Sequence, residues 1–310
     1  MTMPRLNRER PHRALLAGLA LATLIVGAPA ARADDVGSMA GSPSGSQSGR
    51  GLTTLRQRGF ARLAMSNEPP WAVIRADGSI GGAGPDLVRA VFRRMGIDDV
   101  RGVVSSYGAM IPGLMAGRSD LIDSGMFMTP GRCMAVAYSQ PDLCDREALI
   151  MQHKGRPGPR SYRDVAADPN LLIGVPAGGS EERLALTAGV PPARIVPVPD
   201  GPSGMIMLET GRIQIYSLPA MSGRHLLDLW GTRRFDLIPA DGTPVMCAGA
   251  AFSRDATDLR DAYDRALAAL QANGDYARLL TRYGFDPALS LHRTRADLCA
   301  APQPTAGPRP

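Results

Sequence analysis

Three aromatic residues and one arginine are the side chains best suited to hold a small charged molecule. Trp71, Tyr107 and Phe127 are three of only 15 aromatic residues, and each falls at or beside the end of a predicted strand. Aromatic faces attract a cation, worth about 0.5–2 kcal/mol for each ring. The planar guanidinium of Arg132 can hold a carboxylate through two parallel hydrogen bonds. Each ring alone could equally be a core residue, but the set predicts a site for a ligand that carries both charges.

Two polar residues extend this predicted site. Glu68, in the turn Asn67-Glu68-Pro69-Pro70, can accept hydrogen bonds from N–H groups of a cation, or can be a solvated turn carboxylate. Ser180 follows two glycines and precedes two glutamates, which predicts the N-cap of a helix. Because helix N-termini favour anions, the ligand's carboxylate could be shared between Arg132 and this helix. A quaternary ammonium would leave Glu68 without N–H donors, so the pattern favours an amidinium-like cation over a betaine.

Strand and helix patterns alternate along residues 51–299, which is typical of an α/β fold. Residues 60–66 predict a strand and residues 85–95 a helix. Segments 107–122 and 203–216 resemble each other. In both, a predicted helix rich in Met and Leu is followed by Gly-Arg and then by a predicted apolar strand. The repeat indicates two α/β lobes. Such lobes create a cleft at the carboxyl ends of their strands, which is where ligands bind.

The charge distribution excludes a nucleic-acid-binding protein and indicates an exported one. The 310-residue chain has a formal net charge of +6, but residues 1–33 hold five arginines against one glutamate, so most of the excess lies there. An arginine-rich start, an apolar run over 14–30 and Ala31-Arg32-Ala33 predict a cleaved signal peptide over 1–33, with a membrane anchor as the alternative. The mature protein is then periplasmic or secreted.

The remaining terminal segments predict no packed structure. Residues 34–50 are rich in Gly and Ser and predict a flexible linker. Residues 300–310 hold four prolines and predict a disordered tail.

Four cysteines, Cys133, Cys144, Cys247 and Cys299, are compatible with two disulfides in an oxidising compartment. Three pairings are open, and Cys133 with Cys144, the nearest in sequence, is the first pair to expect. The first cysteine lies far beyond the cleavage site, so none is placed to take a lipid anchor. The pattern has no C-x-x-C and only scattered histidines, so it predicts no zinc site.

Several of these segments match a known family. The chain from about residue 60 to 299 resembles the periplasmic solute-binding proteins of ABC importers, in the family that includes polar amino-acid binders. Within that family it is most similar to the ectoine- and hydroxyectoine-binding branch. The stretches that carry the resemblance are Asn67-Glu68-Pro69-Pro70-Trp71, Gly84-Pro85-Asp86-Leu87-Val88-Arg89-Ala90-Val91, Tyr107 with Ile111-Pro112-Gly113-Leu114 and Gly117-Arg118, Gly125-Met126-Phe127-Met128-Thr129-Pro130-Gly131-Arg132-Cys133, and Gly174-Val175-Pro176-Ala177-Gly178-Gly179-Ser180.

The resemblance implies a fold of two α/β lobes joined by two crossover strands. It places lobe one at 51–147 plus 247–299 and lobe two at 148–246. It also implies that Glu68, Trp71, Tyr107, Phe127 and Arg132 contact the ligand from lobe one, and Ser180 from lobe two. Residues 214–219 lack the Asp with which amino-acid binders usually hold an amino group, which disfavours an ordinary α-amino acid.

The resemblance implies a protein that binds a small ligand and does not change it chemically. The ligand, ectoine or hydroxyectoine, docks on lobe one, lobe two closes over it, and permease subunits in the inner membrane recognise the closed form. A monomer without a cofactor is expected. Three alternatives stay open: a polar or cyclic amino acid such as proline as ligand, a periplasmic accessory or sensor protein, and a dehydratase-like enzyme with Glu68 as general acid.

Overall fold

Alternating strands and helices build two separate five-stranded sheets in the computed structural model, which describes residues 51–300 apart from 154, 156 and 232. The predicted signal peptide, the Gly/Ser linker and all but the first residue of the predicted tail lie outside the described residues. Within the described part of the chain, no helix is long and apolar enough to cross a membrane.

Fourteen strands are distributed along the described chain. They are β1 (Phe60–Met65), β2 (Val73–Ile74), β3 (Ile80–Gly81), β4 (Asp99–Val104), β5 (Leu121–Ile122), β6 (Ala137–Tyr138), β7 (Leu143–Asp145), β8 (Glu147–Gln152), β9 (Ile173–Pro176), β10 (Ile195–Val198), β11 (Ile215–Pro219), β12 (Phe235–Pro239), β13 (Met246–Ala248) and β14 (Ala251–Phe252).

Twelve α-helices lie between and beyond these strands in the same described part. They are α1 (Leu52–Arg58), α2 (Ala83–Arg94), α3 (Met110–Met115), α4 (Pro130–Ala135), α5 (Tyr162–Ala167), α6 (Glu181–Thr187), α7 (Gly201–Glu209), α8 (Ala220–Trp230), α9 (Thr257–Ala272), α10 (Asp275–Arg282), α11 (Ala288–Leu291) and α12 (Arg295–Cys299). Single 3-10 turns cover Tyr107–Ala109 and Pro192–Arg194.

The first sheet has the strand order β4-β1-β5-β14-β6 and defines lobe one. Strand β1 runs parallel to both β4 and β5, whereas β14 is antiparallel to its neighbours. Helix α2 covers this sheet because Leu87, Val88, Val91 and Phe92 lie on one face of the helix and are all completely buried. The parallel strands send the loops after β1, β4 and β5 to one edge of the sheet.

The second sheet has the order β10-β9-β11-β8-β12 and defines lobe two. Strands β9, β10 and β11 are parallel, while β8 is antiparallel to β11 and β12. The chain enters this sheet after β7 and leaves it before β13, and β7 and β13 pair with each other. The predicted α/β fold with two sheets and two crossings is therefore confirmed. The exact lobe boundaries at 147/148 and 246/247 stay a prediction.

Most predicted elements occur close to their predicted positions. The strand expected over 60–66 is β1, the helix over 85–95 is α2, and the two similar segments form α3 with β5 and α7 with β11. Two further helices, α9 and α10, follow one another closely near the end of the described chain. Gly274 separates them with a φ of +78°, a left-handed conformation that a glycine adopts without strain.

Both disulfides join cysteines that are far apart in sequence, so the expected pair of Cys133 with Cys144 is wrong. Cys144 on β7 lies directly opposite Cys247 on β13 and is bonded to it, with a Cα–Cα distance of 4.0 Å. Cys133 on α4 is bonded to Cys299 at the end of α12. Strand β6 carries the chain from α4 into the first sheet before it reaches β7, and strand pairing rather than sequence distance then selects the partner.

Replacing Cys144 and Cys247 with Ala should lower the free energy of unfolding by about 2–4 kcal/mol, because the bond restricts the unfolded chain. Urea unfolding of the oxidised proteins measures this loss. Full reduction of both proteins is the control, since the reduced wild type has lost the same bond and the difference should then disappear. A difference that survives reduction would assign the effect to side-chain packing and not to the covalent link.

Candidate ligand-binding site

A cavity with about 260 Å³ of empty space, including space open to solvent, lies between the two lobes. Lobe one contributes Glu68, Trp71, Tyr107, Gly125 and Phe127, and lobe two contributes Pro176, Gly179, Glu181 and Pro219. Four of the six predicted site residues, Glu68, Trp71, Tyr107 and Phe127, therefore line one cavity. The loops that carry them follow β1, β4 and β5, whose carboxyl ends meet at the same sheet edge.

The loop after β1 holds Glu68 and Trp71 in fixed positions. Glu68 and Ala72 exchange two backbone hydrogen bonds, of 2.9 and 3.1 Å, across a turn that contains a cis Pro69–Pro70 peptide. Trp71 is only 1% exposed and packs edge-on against Phe127 and Phe285, at centroid distances of 5.5 and 4.7 Å. These packing contacts, rather than a ligand, define the orientation of the indole ring.

Gly125 allows the aromatic rings to approach one another. Its φ is +81°, and a Cβ atom there would lie 2.7 Å from the Trp71 ring. The Tyr107 hydroxyl donates a hydrogen bond of 3.1 Å to the Gly125 carbonyl. Phe127 is 1% exposed, and its backbone bridges to Ala248. The three predicted rings thus surround one space, as attraction of a cation requires.

Arg132 lies in helix α4. Thr129 caps this helix by accepting a hydrogen bond from the Arg132 backbone N–H at 3.3 Å. Arg132 Nη1 donates to the Phe127 carbonyl at 2.8 Å, and Nη2 donates to the Gly178 carbonyl of lobe two at 3.0 Å. Its guanidinium carbon lies 5.5 Å from the Tyr107 ring centroid. Arg132 therefore stands beside the cavity and connects the two lobes.

Ser180 lies in an opening next to the cavity and occupies the predicted N-cap position of α6, but its side chain does not cap the helix. Helix α6 begins at the next residue, but the Ser180 side chain accepts no hydrogen bond from the helix. Its backbone has helical angles, with φ −77° and ψ −21°, whereas a capping residue is usually extended. The hydroxyl is buried without a hydrogen-bond partner among the described residues. It lines an opening that Arg132 also lines.

Two polar residues of the site were missed by the sequence analysis. Glu181 lines the cavity and is 3% exposed. Ser222, on α8, donates a hydrogen bond of 2.8 Å to Oε1 of Glu68, and so links lobe two to lobe one. Glu181 adjoins the glycine-rich motif, but an acidic residue in a first helical turn is usually solvated. The sequence around Ser222 gives no indication of this role, because only the packing of the two lobes against each other brings Ser222 to Glu68.

Burial controls the electrostatics of the cavity. It raises the pKa of Glu68, and the hydrogen bond from Ser222 partly opposes this effect. Burial also raises the pKa of Glu181 to about 7. Two carboxyl groups thus line the cavity and one guanidinium lies beside it, which suits a ligand with N–H donors on its cation and one carboxylate. Among the described residues, no group of three or more His, Cys, Asp or Glu side chains could hold a metal ion.

Comparison with known proteins gives consistent results. The sequence pattern of the bacterial extracellular solute-binding proteins, family 3, matches residues 62–286. The crystal structure of EhuB in complex with hydroxyectoine is 49% identical, with a TM-score of 0.78, and the match covers 81% of this chain and 98% of EhuB.

Two other relatives are less similar. A probable amino-acid ABC transporter periplasmic-binding protein from Sinorhizobium fredii is 29% identical over 262 residues, which is 80% of this chain and 86% of the relative. The crystal structure of a mutant of ArgBP from T. maritima is 22% identical, covers 75% of this chain and 98% of ArgBP, and has a TM-score of 0.67. This last likeness shows the fold alone.

Replacing Ser222 with Ala should lower the free energy of unfolding by about 1.5–3 kcal/mol at pH 8, because Glu68 loses a hydrogen bond to its charged form. Since that bond lowers the pKa of Glu68, the loss should shrink as the pH falls and Glu68 becomes protonated. Urea unfolding at several pH values measures both effects. Ser203→Ala is the control, since the Ser203 hydroxyl has no hydrogen-bond partner in the described chain. An equal loss at every pH would contradict the assignment.

Proposed function

Because the chain belongs to the bacterial extracellular solute-binding proteins, family 3, we propose that it captures ectoine or hydroxyectoine and delivers it to an ABC importer. The observation that carries this proposal is the gathering of three aromatic rings and two carboxyl groups around one cavity, with an arginine beside it. The 49% identity to EhuB, solved with hydroxyectoine, supports the same ligand class.

The cavity suits both charges of such a ligand. A delocalised cation would lie against the faces of Trp71, Tyr107 and Phe127. Its N–H groups would donate to Glu68 from lobe one and to Glu181 from lobe two. The carboxylate would lie on the side of Arg132, whose remaining N–H groups can hold it. A ligand contacted from both lobes stabilises their closed arrangement, because only that arrangement makes all of these contacts.

An ordinary α-amino acid fits less well. Strand β11 presents Pro219 to the cavity, and proline offers neither a charge nor a side-chain hydrogen bond to an amino group. A quaternary ammonium would offer no N–H donor to Glu68 or Glu181. The ligand class that satisfies the described groups is a compact zwitterion with N–H donors on its cation.

Transport places further requirements on the protein. We propose that residues 1–33 act as a cleaved signal peptide, that the mature protein is a periplasmic monomer, and that permease subunits recognise the closed lobes. The contacts between Arg132 and Gly178 and between Ser222 and Glu68 are suited to signal closure, since each joins the two lobes. A role in sensing without transport would use the same closure and differ in its membrane partner.

The proposed function involves binding without turnover. Glu68 and Glu181 share a cavity, so an acid-base role can be tested directly. Hydroxyectoine incubated with the protein should be recovered unchanged by NMR. Appearance of a product would favour the dehydratase-like alternative.

Titration calorimetry with hydroxyectoine should show binding of one ligand per chain, and Arg132→Gln should weaken it by at least about 100-fold, because the buried carboxylate loses its charged partner. Arg183→Gln is the matched control. Arg183 lines the same opening as Arg132 but is exposed, and its replacement should change the affinity little. If both variants bind hydroxyectoine as tightly as the wild type, Arg132 does not hold the ligand.

Tyr107→Leu should weaken hydroxyectoine binding by about 3- to 30-fold, as expected from the loss of one desolvated cation–ring contact. Tyr107→Phe keeps the ring and loses only the hydrogen bond to Gly125, so it should retain most of the affinity. Calorimetry on both variants separates the two roles of the side chain. If Phe lowers the affinity as much as Leu, the hydroxyl and not the ring face holds the ligand.

A further inference from the structure

Glu147 is a completely buried carboxyl group that the proposed site does not use. It begins β8, and its exposure is 0%. Both of its side-chain oxygens lack a hydrogen-bond donor among the described residues. An ionised carboxylate in such surroundings costs several kcal/mol, so this residue requires a physical explanation.

The strand register places Glu147 beside the cavity. Glu147 on β8 lies directly opposite Pro219 on β11. Side chains opposite each other in an antiparallel pair lie on the same face of a sheet, and Pro219 lines the cavity. The carboxyl group of Glu147 therefore lies next to Pro219, in the wall that lobe two contributes to the cavity.

The surroundings of Glu147 are acidic. Burial raises the pKa of Glu147, and the negative charges of Glu181, Asp145 and Glu68 raise it further. Asp145 is supplied with donors, since its oxygens accept from the backbone N–H groups of Arg146 and Met221 at 2.8 and 2.7 Å. The Tyr162 hydroxyl, also near Glu147, is paired with the Ser217 hydroxyl at 2.6 Å. Oε2 of Glu181 is, like both oxygens of Glu147, buried without a donor.

We propose that Glu147 remains protonated at neutral pH and donates its carboxyl hydrogen to Glu181, which holds that carboxylate in place for the ligand's cation. A proton between the two groups satisfies acceptors that nothing else in the described chain satisfies. It also removes the repulsion that two buried, ionised carboxylates would have. Glu147 is thus a positioning residue, and it makes ligand capture depend on pH through Glu181.

The direction of that dependence follows from Glu181. Burial raises the pKa of Glu181 to about 7; the charge of Glu68 also raises it, and the charge of Arg132 lowers it. The charged form of Glu181, which binds the cation, is therefore lost as the pH falls below that value. A donor on Glu147 favours the charged form of Glu181. Removal of the donor should therefore move the midpoint of ligand binding to higher pH.

The test compares Glu147→Leu with Glu147→Gln by titration calorimetry from pH 5.5 to 8.5. Its titrant is hydroxyectoine, and this choice of ligand rests on the proposed function. Leu removes the donor, so the affinity at pH 7 should fall by about 10- to 100-fold and the midpoint should rise. Gln keeps a donor and should stay within about threefold of the wild type, with an unchanged midpoint. Glu182→Leu, an exposed neighbour on α6, is the control and should match the wild type.

Two results would overturn the proposal. A midpoint that moves to lower pH in Glu147→Gln would mean that Glu147 is ionised in the wild type, because the amide then removes a repelling charge. An affinity and pH profile unchanged in Glu147→Leu would mean that Glu147 positions nothing.

A second measurement needs no ligand and so separates this inference from the proposed function. The chain has only six glutamates, Glu9, Glu68, Glu147, Glu181, Glu182 and Glu209, so carboxyl carbon NMR can follow each one. Glu181→Gln identifies the Glu181 signal. Its titration midpoint should rise in Glu147→Leu and stay in place in Glu147→Gln. If hydroxyectoine fails to bind the wild type, the proposed function fails, and this titration still decides the role of Glu147.

Discussion

The cost of burying charge between two lobes is the constraint on which the rest of this structure depends. Charged groups removed from water must find partners, or they lose their charge. Arg132 meets this requirement partly through carbonyls of both lobes, and Glu68 meets it through Ser222. Glu181 keeps one oxygen without a donor, and burial raises its pKa to about 7. A zwitterion with N–H donors on its cation and one carboxylate can supply further partners to these groups.

Rigid packing around the cavity makes this selectivity possible. Trp71 packs edge-on against Phe127 and Phe285, and Gly125, which has no side chain, leaves room for the indole ring. On the other side of the cleft, a Cβ atom on Gly178 would lie 2.8 Å from Gly108 Cα, so the lobes touch through glycine backbones. The strand pair β7–β13, joined by its disulfide, lies where the chain crosses between the sheets. A preformed aromatic surface on one lobe and a few polar contacts from the other together suit a binding protein that must release its ligand.

Local patterns predicted much of the fold because they depend on neighbouring residues. The apolar face of α2 and the strand β1 follow from periodicity alone. Trp71, Tyr107 and Phe127 were found because they are rare and lie at predicted strand ends, and parallel strands bring such ends together. The expectations that failed concerned partners distant in sequence. The pairing of Cys144 depended on the register of β7 against β13, and the Ser180 hydroxyl depended on backbone angles that the glycine-rich motif does not reveal.

The amino-acid sequence by itself determined the α/β class, the family and the aromatic, acidic and basic residues of lobe one that gather at the cavity. These properties depend on periodicity, residue type and motifs, all of which are local. Only the tertiary structure decided that Ser222 reaches Glu68, that Glu181 is buried in the cavity and that Glu147 lies beside Pro219 without a donor. The reason is physical. Whether a carboxyl group is solvated or buried, and what stands opposite it, depends on how two lobes and two crossing strands pack, and residues far apart in the chain make those contacts.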